Sequence, residues 1–150
     1  MRKWVETVVG MDVEFLRLAL GATMYYPVAD LATGNELIAP YIRFPGNLEG
    51  VRDILLQINR PRISKCEAAL SINRLAKWGV ATVVSGKLQP NVAGVLSLVD
   101  LSPPQFACTL ELDINTAAEY SGPLPNDKLV CIFGELFELA EEIVSKGDVP

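Results

Sequence analysis

QFACTLELDIN, at residues 105–115, is the most regular run in this chain. Apolar side chains alternate with polar ones along it, and both of its charges, Glu111 and Asp113, fall on the same side of the pattern. Alternation with a period of two is typical of a β-strand that has one buried and one solvated face. The run therefore predicts a strand of an antiparallel sheet whose core side carries Phe106, Cys108, Leu110 and Leu112.

Two further strands are predicted just before this run, at Val80–Ser85 and Val92–Leu101. The turn between them contains Gly86 and Pro90, two residues that commonly break regular structure. Short connections join antiparallel neighbours, so the three strands are predicted to form a meander.

A turn at Ala32–Asn35 separates two more strand-like runs, Met24–Val28 and Glu36–Phe44. Together with the meander they predict an antiparallel sheet of about four to six strands. The chain has 150 residues, of which 50% are hydrophobic and 21% charged, as is ordinary for a folded globule. A single α+β domain over residues 1–150 is therefore expected.

Helical periodicity is predicted in three places. Leu48–Ile58 has apolar residues three and four positions apart, and Ser64 with Glu67 fits a capping box at the start of a second helix that runs to Trp78. These two segments predict a central helical hairpin. Apolar residues recur along one wide face of 129–144, which predicts a C-terminal amphipathic helix packed on the sheet.

Histidine is absent from the chain, which removes the commonest acid–base side chain at neutral pH. The sequence also lacks a Cys-x-x-Cys pair, a glycine-rich phosphate loop and a Gly-x-Ser-x-Gly run. We therefore expect no catalysis, no metal and no cofactor. Cys66, Cys108 and Cys131 are odd in number and widely spaced, so we expect three reduced, buried thiols and a cytoplasmic location. No apolar run is long enough to span a membrane, and no membrane association is expected.

Charge is divided unevenly along the chain. Residues 1–99 carry 11 Lys and Arg against 8 Asp and Glu, whereas residues 100–150 carry 2 against 10. Complementary charge speeds association and orients partners. The leading hypothesis is therefore a small non-catalytic protein that masks or sequesters a protein partner, as an inhibitor or immunity-type protein does. The expected docking face on the last helix consists of Glu135, Glu138, Glu141 and Glu142.

The middle of the chain offers an alternative. The two predicted helices, followed by Gly79 and a two-stranded hairpin with Gly86-Lys87 at its tip, give residues 48–86 an outline that resembles the winged-helix family. The resemblance implies a nucleic-acid-binding regulator whose second helix faces the bases. The cations of residues 60–77 that would contact phosphates are Arg60, Arg62, Lys65, Arg74 and Lys77.

A third hypothesis is a small-molecule-binding module. Aromatic side chains near proline and glycine turns can line an apolar pocket, and the candidates here are Tyr25, Tyr26, Tyr41 and Phe44. The sequence leaves the oligomeric state open. Trp4 and Phe137 fit a homodimer interface as well as burial within one chain.

Overall fold

The structure is a computed structural model, and it describes residues 13–42, 50–90, 92 and 94–147. Phe44, together with Trp4 and the start of the first predicted central helix, lies outside the described residues. The elements, in chain order, are β1 (Ala19–Val28), α1 (Leu31–Ile42), β2 (Leu55–Asn59), β3 (Arg62–Ile63), β4 (Ser71–Val83), β5 (Lys87–Pro90), β6 (Leu96–Val99), β7 (Gln105–Thr116), a 3-10 turn (Asn126–Lys128) and α2 (Leu129–Lys146).

Five of the strands form one antiparallel sheet in the order β1-β7-β4-β2, and β3 pairs with β4 beside β2. The strand predicted from residues 105–115 lies inside this sheet: Leu112 on β7 is opposite Ala22 on β1 and Ala76 on β4. β5 and β6 form a separate two-stranded sheet. The prediction of an α+β fold built on an antiparallel sheet is confirmed.

The core lies between one face of the sheet and the two helices. Leu110, Leu112 and Ile114 on β7 are buried, whereas Glu111 and Asp113 between them are exposed, as the alternation predicts. Helix α2 covers this face with a row of buried apolar side chains that includes Leu136 and Leu139. The C-terminal amphipathic helix is therefore confirmed. Among the helices of the described residues, none is long and apolar enough to cross a membrane.

The predicted central helical hairpin is wrong. Its second helix is instead β4, a strand of 13 residues, and the described part of its first helix includes β2. Along β4 the buried positions are every second residue: Ile72, Arg74, Ala76 and Trp78. A buried arginine hides this period of two, because Arg74 is assigned to the polar side when the sequence is taken alone.

Ser64 and Glu67 make local hydrogen bonds of the capping type, but no helix follows them. The Ser64 hydroxyl accepts hydrogen bonds from the backbone N–H groups of Cys66 (3.1 Å) and Glu67 (3.3 Å). The chain then turns back, and Leu70 and Ser64 pair through their backbones (2.8 Å). Serine side chains stabilise such turns as well as helix starts, which explains the wrong prediction.

Helix α1 covers the described part of the region predicted as a turn and a strand, and residues 43 and 44 of that region lie outside the described residues. The Asp30 carboxylate accepts a hydrogen bond from the Thr33 N–H (2.8 Å), which caps the start of the helix. Gly34 suggested a turn, but it is a packing residue: a Cβ on Gly34 would lie 2.7 Å from a methyl carbon of Val80. Pro40 also lies inside α1.

The cysteine interpretation also needs correction. Cys66 and Cys131 form a disulfide with their Cα atoms 6.1 Å apart, and Cys108 is the free cysteine. The expectation of three reduced thiols is therefore wrong. The expected cytoplasmic location rested on that expectation and loses its basis.

Candidate functional site

One face of α2 is joined by a disulfide, hydrogen bonds and ion pairs to β3 and the segment that connects it to β4. Cys131, Glu135, Glu138 and Glu142 are spaced by four, three and four residues, which places them in one stripe along the helix. They contact Cys66, Ser64, Lys65 and Arg62 respectively. We call this set of eight residues the clasp. It joins the predicted acidic face to two of the predicted nucleic-acid-binding cations.

Glu135 is the buried glutamate of the clasp. Its carboxylate accepts a hydrogen bond from the Ser64 hydroxyl (2.6 Å) and one from the Lys65 backbone N–H (3.0 Å). The side chain is buried, so those donors replace the water that a carboxylate otherwise binds. Glu135 is therefore a structural residue and is not on an exposed docking face.

Glu142 is the last clasp residue on α2, and its carboxylate lies close to two arginines. The Arg62 guanidinium donates two hydrogen bonds to its carboxylate (2.9 and 3.0 Å), and Nη2 of Arg74 lies 3.8 Å from it. Burial tends to raise the pKa of Glu142, but the hydrogen bonds and charge of Arg62 and the charge of Arg74 outweigh it, so the pKa is lowered. The charge of the buried Arg74 is thus balanced by Glu142.

The predicted nucleic-acid-binding residues do not share an exposed helix face. Arg62 and Lys65 belong to the clasp, and the side chain of Arg74 is only 2% exposed. Lys77 points to the opposite face of the sheet, where it pairs with Glu111 (3.1 Å). Arg60 lies between β2 and β3. The helical outline behind the winged-helix resemblance is therefore wrong.

Of the four predicted docking glutamates, Glu138 and Glu141 remain exposed. Glu138 makes a long, solvent-exposed ion pair with Lys65 (3.4 Å), and such a pair contributes little to stability. The acidic face is thus reduced to two neighbouring side chains. A much larger exposed feature lies elsewhere in the molecule.

That feature is the β5–β6 hairpin. Leu88 is directly opposite Leu98, and Pro90 is opposite Leu96, so these four side chains share one face of the two-stranded sheet. Leu88, Leu96 and Leu98 are 66%, 62% and 51% exposed. We call this surface the hairpin face. The other side carries Lys87, Gln89, Ser97 and Val99.

The base of the hairpin is fixed, and within the described residues its two strands pack mainly on each other. Backbone and hydroxyl hydrogen bonds join Ser85 to Ser102, and Lys87 pairs with Asp100 (2.9 Å). Beyond that ion pair, residues 88–99 contain no charged side chain. Alternating apolar residues normally face a core, and large exposed apolar faces are uncommon on soluble proteins, so the hairpin is a candidate site.

Sequence reasoning missed the hairpin face. The signals were present: Leu88, Pro90, Leu96 and Leu98 alternate with polar residues, and the segment has no charge. The sequence does not show whether such a face packs on its own core, because that depends on where the hairpin lies in the fold.

Three of the predicted aromatic residues, Tyr25, Tyr26 and Tyr41, border a cleft of about 540 Å³ between the sheet and the two helices. Tyr25 and Tyr26 are neighbours on β1, so their side chains point to opposite faces of the sheet. Trp78 of β4 also lines the cleft, a position that the wrong helix assignment concealed.

We compared the chain with known protein families, curated proteins and solved structures. The chain matches no family model, no curated protein and no solved structure.

Proposed function

We propose that this protein is a non-catalytic binding protein that captures a protein partner on the hairpin face. The observation that carries the proposal is the exposure of Leu88, Leu96 and Leu98 on one side of a hairpin. A two-stranded hairpin alone is marginally stable in water. A partner that covers the hairpin face would remove its apolar surface from water and stabilise the hairpin.

The partner is proposed to be a protein and not a lipid surface. Segments that bind membrane surfaces usually combine apolar residues with lysines, arginines and interfacial aromatics. Residues 88–99 contain none of these, and the adjacent Lys87 is paired with Asp100. The chain as a whole carries a net charge of −5. A neutral apolar groove on a protein is the surface that this face complements best.

The two exposed glutamates of α2 would help to orient the partner as it approaches. Glu138 and Glu141 are exposed, and a partner with a basic rim would be steered toward them during encounter. Because Glu135 and Glu142 are engaged within the clasp, the proposal assigns them to stability. We further propose that binding takes place in an oxidising compartment, since the Cys66–Cys131 disulfide would persist there.

The test compares two double variants of the hairpin. Leu88→Glu with Leu98→Glu places two charges on the hairpin face, whereas Gln89→Glu with Ser97→Glu places the same charges on its other side. Each tagged protein is used to capture partners from lysate, and the captured proteins are quantified by mass spectrometry. A specific partner should be retained by wild type and the control, and lost by the Leu88/Leu98 variant.

Three outcomes would contradict the proposal. The first is equal retention of every captured protein by both double variants. The second is concentration-dependent self-association of wild type that only the Leu88/Leu98 variant abolishes, because the face would then serve a homodimer. The third is binding of wild type to neutral phosphatidylcholine vesicles that only the Leu88/Leu98 variant loses, because the hairpin face would then bind a membrane.

A further inference from the structure

The cleft between the sheet and the helices has the size and composition of a small-molecule site. Its volume, about 540 Å³, lies within the range of about 300–1,000 Å³ that is typical of ligand pockets. Leu37, Ile38 and Tyr41 of α1 form one wall, and the facing strands contribute Met24, Trp78 and Leu110. The cleft lies away from the hairpin, since none of its lining residues belongs to β5 or β6.

One polar group in this apolar wall has no partner. The indole N–H of Trp78 has no hydrogen-bond acceptor within the described residues, although the side chain is only 5% exposed. A buried donor without an acceptor destabilises the folded state by the cost of removing it from water. A ligand that brings an acceptor would relieve this cost and would gain affinity by doing so.

Tyr41 is the half-exposed neighbour of that indole ring. Its ring stacks on Trp78 with the ring centres 5.8 Å apart, while 42% of the tyrosine is exposed. A half-exposed side chain in the last turn of α1 can change rotamer at low cost. Movement of Tyr41 would widen the cleft beside the indole ring, which a ligand needs because the indole N–H is itself buried.

The lining also defines the charge of the ligand. No Lys, Arg, Asp or Glu is among the lining residues described, so a charged ligand would lose its hydration without gaining an ion pair. The thiol of Cys108 lies at the cleft, and burial raises its pKa, so it is a poor nucleophile toward a bound molecule. Binding here is non-covalent.

We propose that this cleft binds a neutral, largely apolar small molecule whose single hydrogen-bond acceptor pairs with the indole N–H of Trp78. The site is independent of the hairpin face, so either proposal can fail without the other. Ketones, esters and amides with an aromatic or acyl body belong to the predicted ligand class.

The probe for this proposal is prodan, a neutral naphthalene fluorophore with one ketone carbonyl. Its dimethylaminonaphthalene parent, which lacks the carbonyl, is the matched probe. Wild type should bind both, as measured by emission during titration. Trp78→Phe removes the N–H donor together with the five-membered ring, and the parent compound reports the effect of the smaller ring alone. Prodan binding should therefore weaken by about two- to tenfold more than binding of the parent compound.

A second pair of variants keeps the test independent of Trp78. Leu37→Trp fills the cleft, whereas Leu55→Trp adds the same side chain at an exposed position on β2 outside it. Prodan binding should be lost in the first and unchanged in the second, with circular dichroism showing that both fold. Retained binding in Leu37→Trp, equal weakening of both probes by Trp78→Phe, or no binding by wild type would overturn the proposal.

Discussion

Arg62 and Glu142 lie 80 residues apart in the chain, yet the guanidinium donates two hydrogen bonds to the carboxylate (Nη1–Oε2 2.9 Å and Nη2–Oε1 3.0 Å). The pair connects β3 to the last turns of α2. In the sequence, these residues belong to two separate clusters, one expected to bind nucleic acid and one expected to bind a basic protein. In the structure they neutralise each other. The proposed interaction surface is therefore the uncharged hairpin face and not these charged residues.

The first prediction concerns the strength of this end of the clasp. Glu142→Gln should lower the free energy of unfolding by about 1–3 kcal/mol, because it removes the negative charge that lies 2.9 Å from Arg62 and 3.8 Å from the buried Arg74. The neighbouring Glu141 is exposed, so Glu141→Gln should change stability by less than about 0.5 kcal/mol. Urea denaturation of both variants measures the difference. Equal midpoints would show that Glu142 does not stabilise the fold.

Acid sensitivity provides a second prediction. The pKa values of Glu142 and Glu67 are lowered in the folded state, the former by Arg62 against the opposing effect of burial and the latter chiefly by its hydrogen bond to Lys128. A lowered folded-state pKa contributes stability above the ordinary value of 4.5 and loses it as pH falls through the folded-state value. Stability should therefore decline as pH falls below 4.5.

The measurement is the midpoint of urea unfolding at a series of pH values. In Glu142→Gln the decline should be shallower than in wild type, because one of the titrating groups has been removed. A decline of the same steepness in both proteins would mean that Glu142 has its ordinary pKa.

The third prediction concerns the disulfide. Joining Cys66 to Cys131 closes a loop of about 65 residues, and removing it with Cys66→Ala and Cys131→Ala should lower stability by about 2–4 kcal/mol. Cys108→Ala is the control, since Cys108 is not bonded. Thiol titration of the unfolded, unreduced protein should find one reactive group. Finding three would mean that the chain is fully reduced.

A fourth prediction uses two helical glycines. A Cβ on Gly34 would lie 2.7 Å from Val80, whereas a Cβ on Gly134 of α2 would have no neighbour within 4 Å among the described residues. Gly34→Ala should therefore destabilise the protein by about 1–3 kcal/mol through overpacking. Gly134→Ala should stabilise it by about 0.5–1 kcal/mol through helix propensity. Thermal denaturation should shift in opposite directions, and a shift in the same direction would contradict the packing of α1 on β4.

Two elements could be predicted from the sequence, because their apolar residues are buried and their charged residues are mostly exposed. β7 alternates with its charges on the solvated side, and α2 has an apolar face that covers the sheet. β4 could not be predicted, because Arg74 occupies a buried position beside Glu142, and local patterns do not contain a contact between residues so far apart in the chain. Helix α1 could not be predicted either, because Gly34 and Pro40 lie inside it.

The candidate sites show the same division. The tyrosines could be associated with a pocket from composition alone, and Tyr25, Tyr26 and Tyr41 border one cleft. The pairing of the charged clusters depends on contacts across 70 to 80 residues of chain, which local patterns do not contain. Exposure of the hairpin face is likewise a property of the complete fold.

Site-specific photo-crosslinking tests the central claim, that the hairpin face is the binding surface, most directly. A photoreactive phenylalanine analogue is placed at position 98 on the hairpin face, or at the adjacent position 97 on the other side, and the protein is irradiated with its captured partner. The account predicts a heterologous protein crosslinked from position 98 that is absent from position 97 and is lost with Leu88→Glu. Equal crosslinking from both positions, or none from position 98, would contradict it.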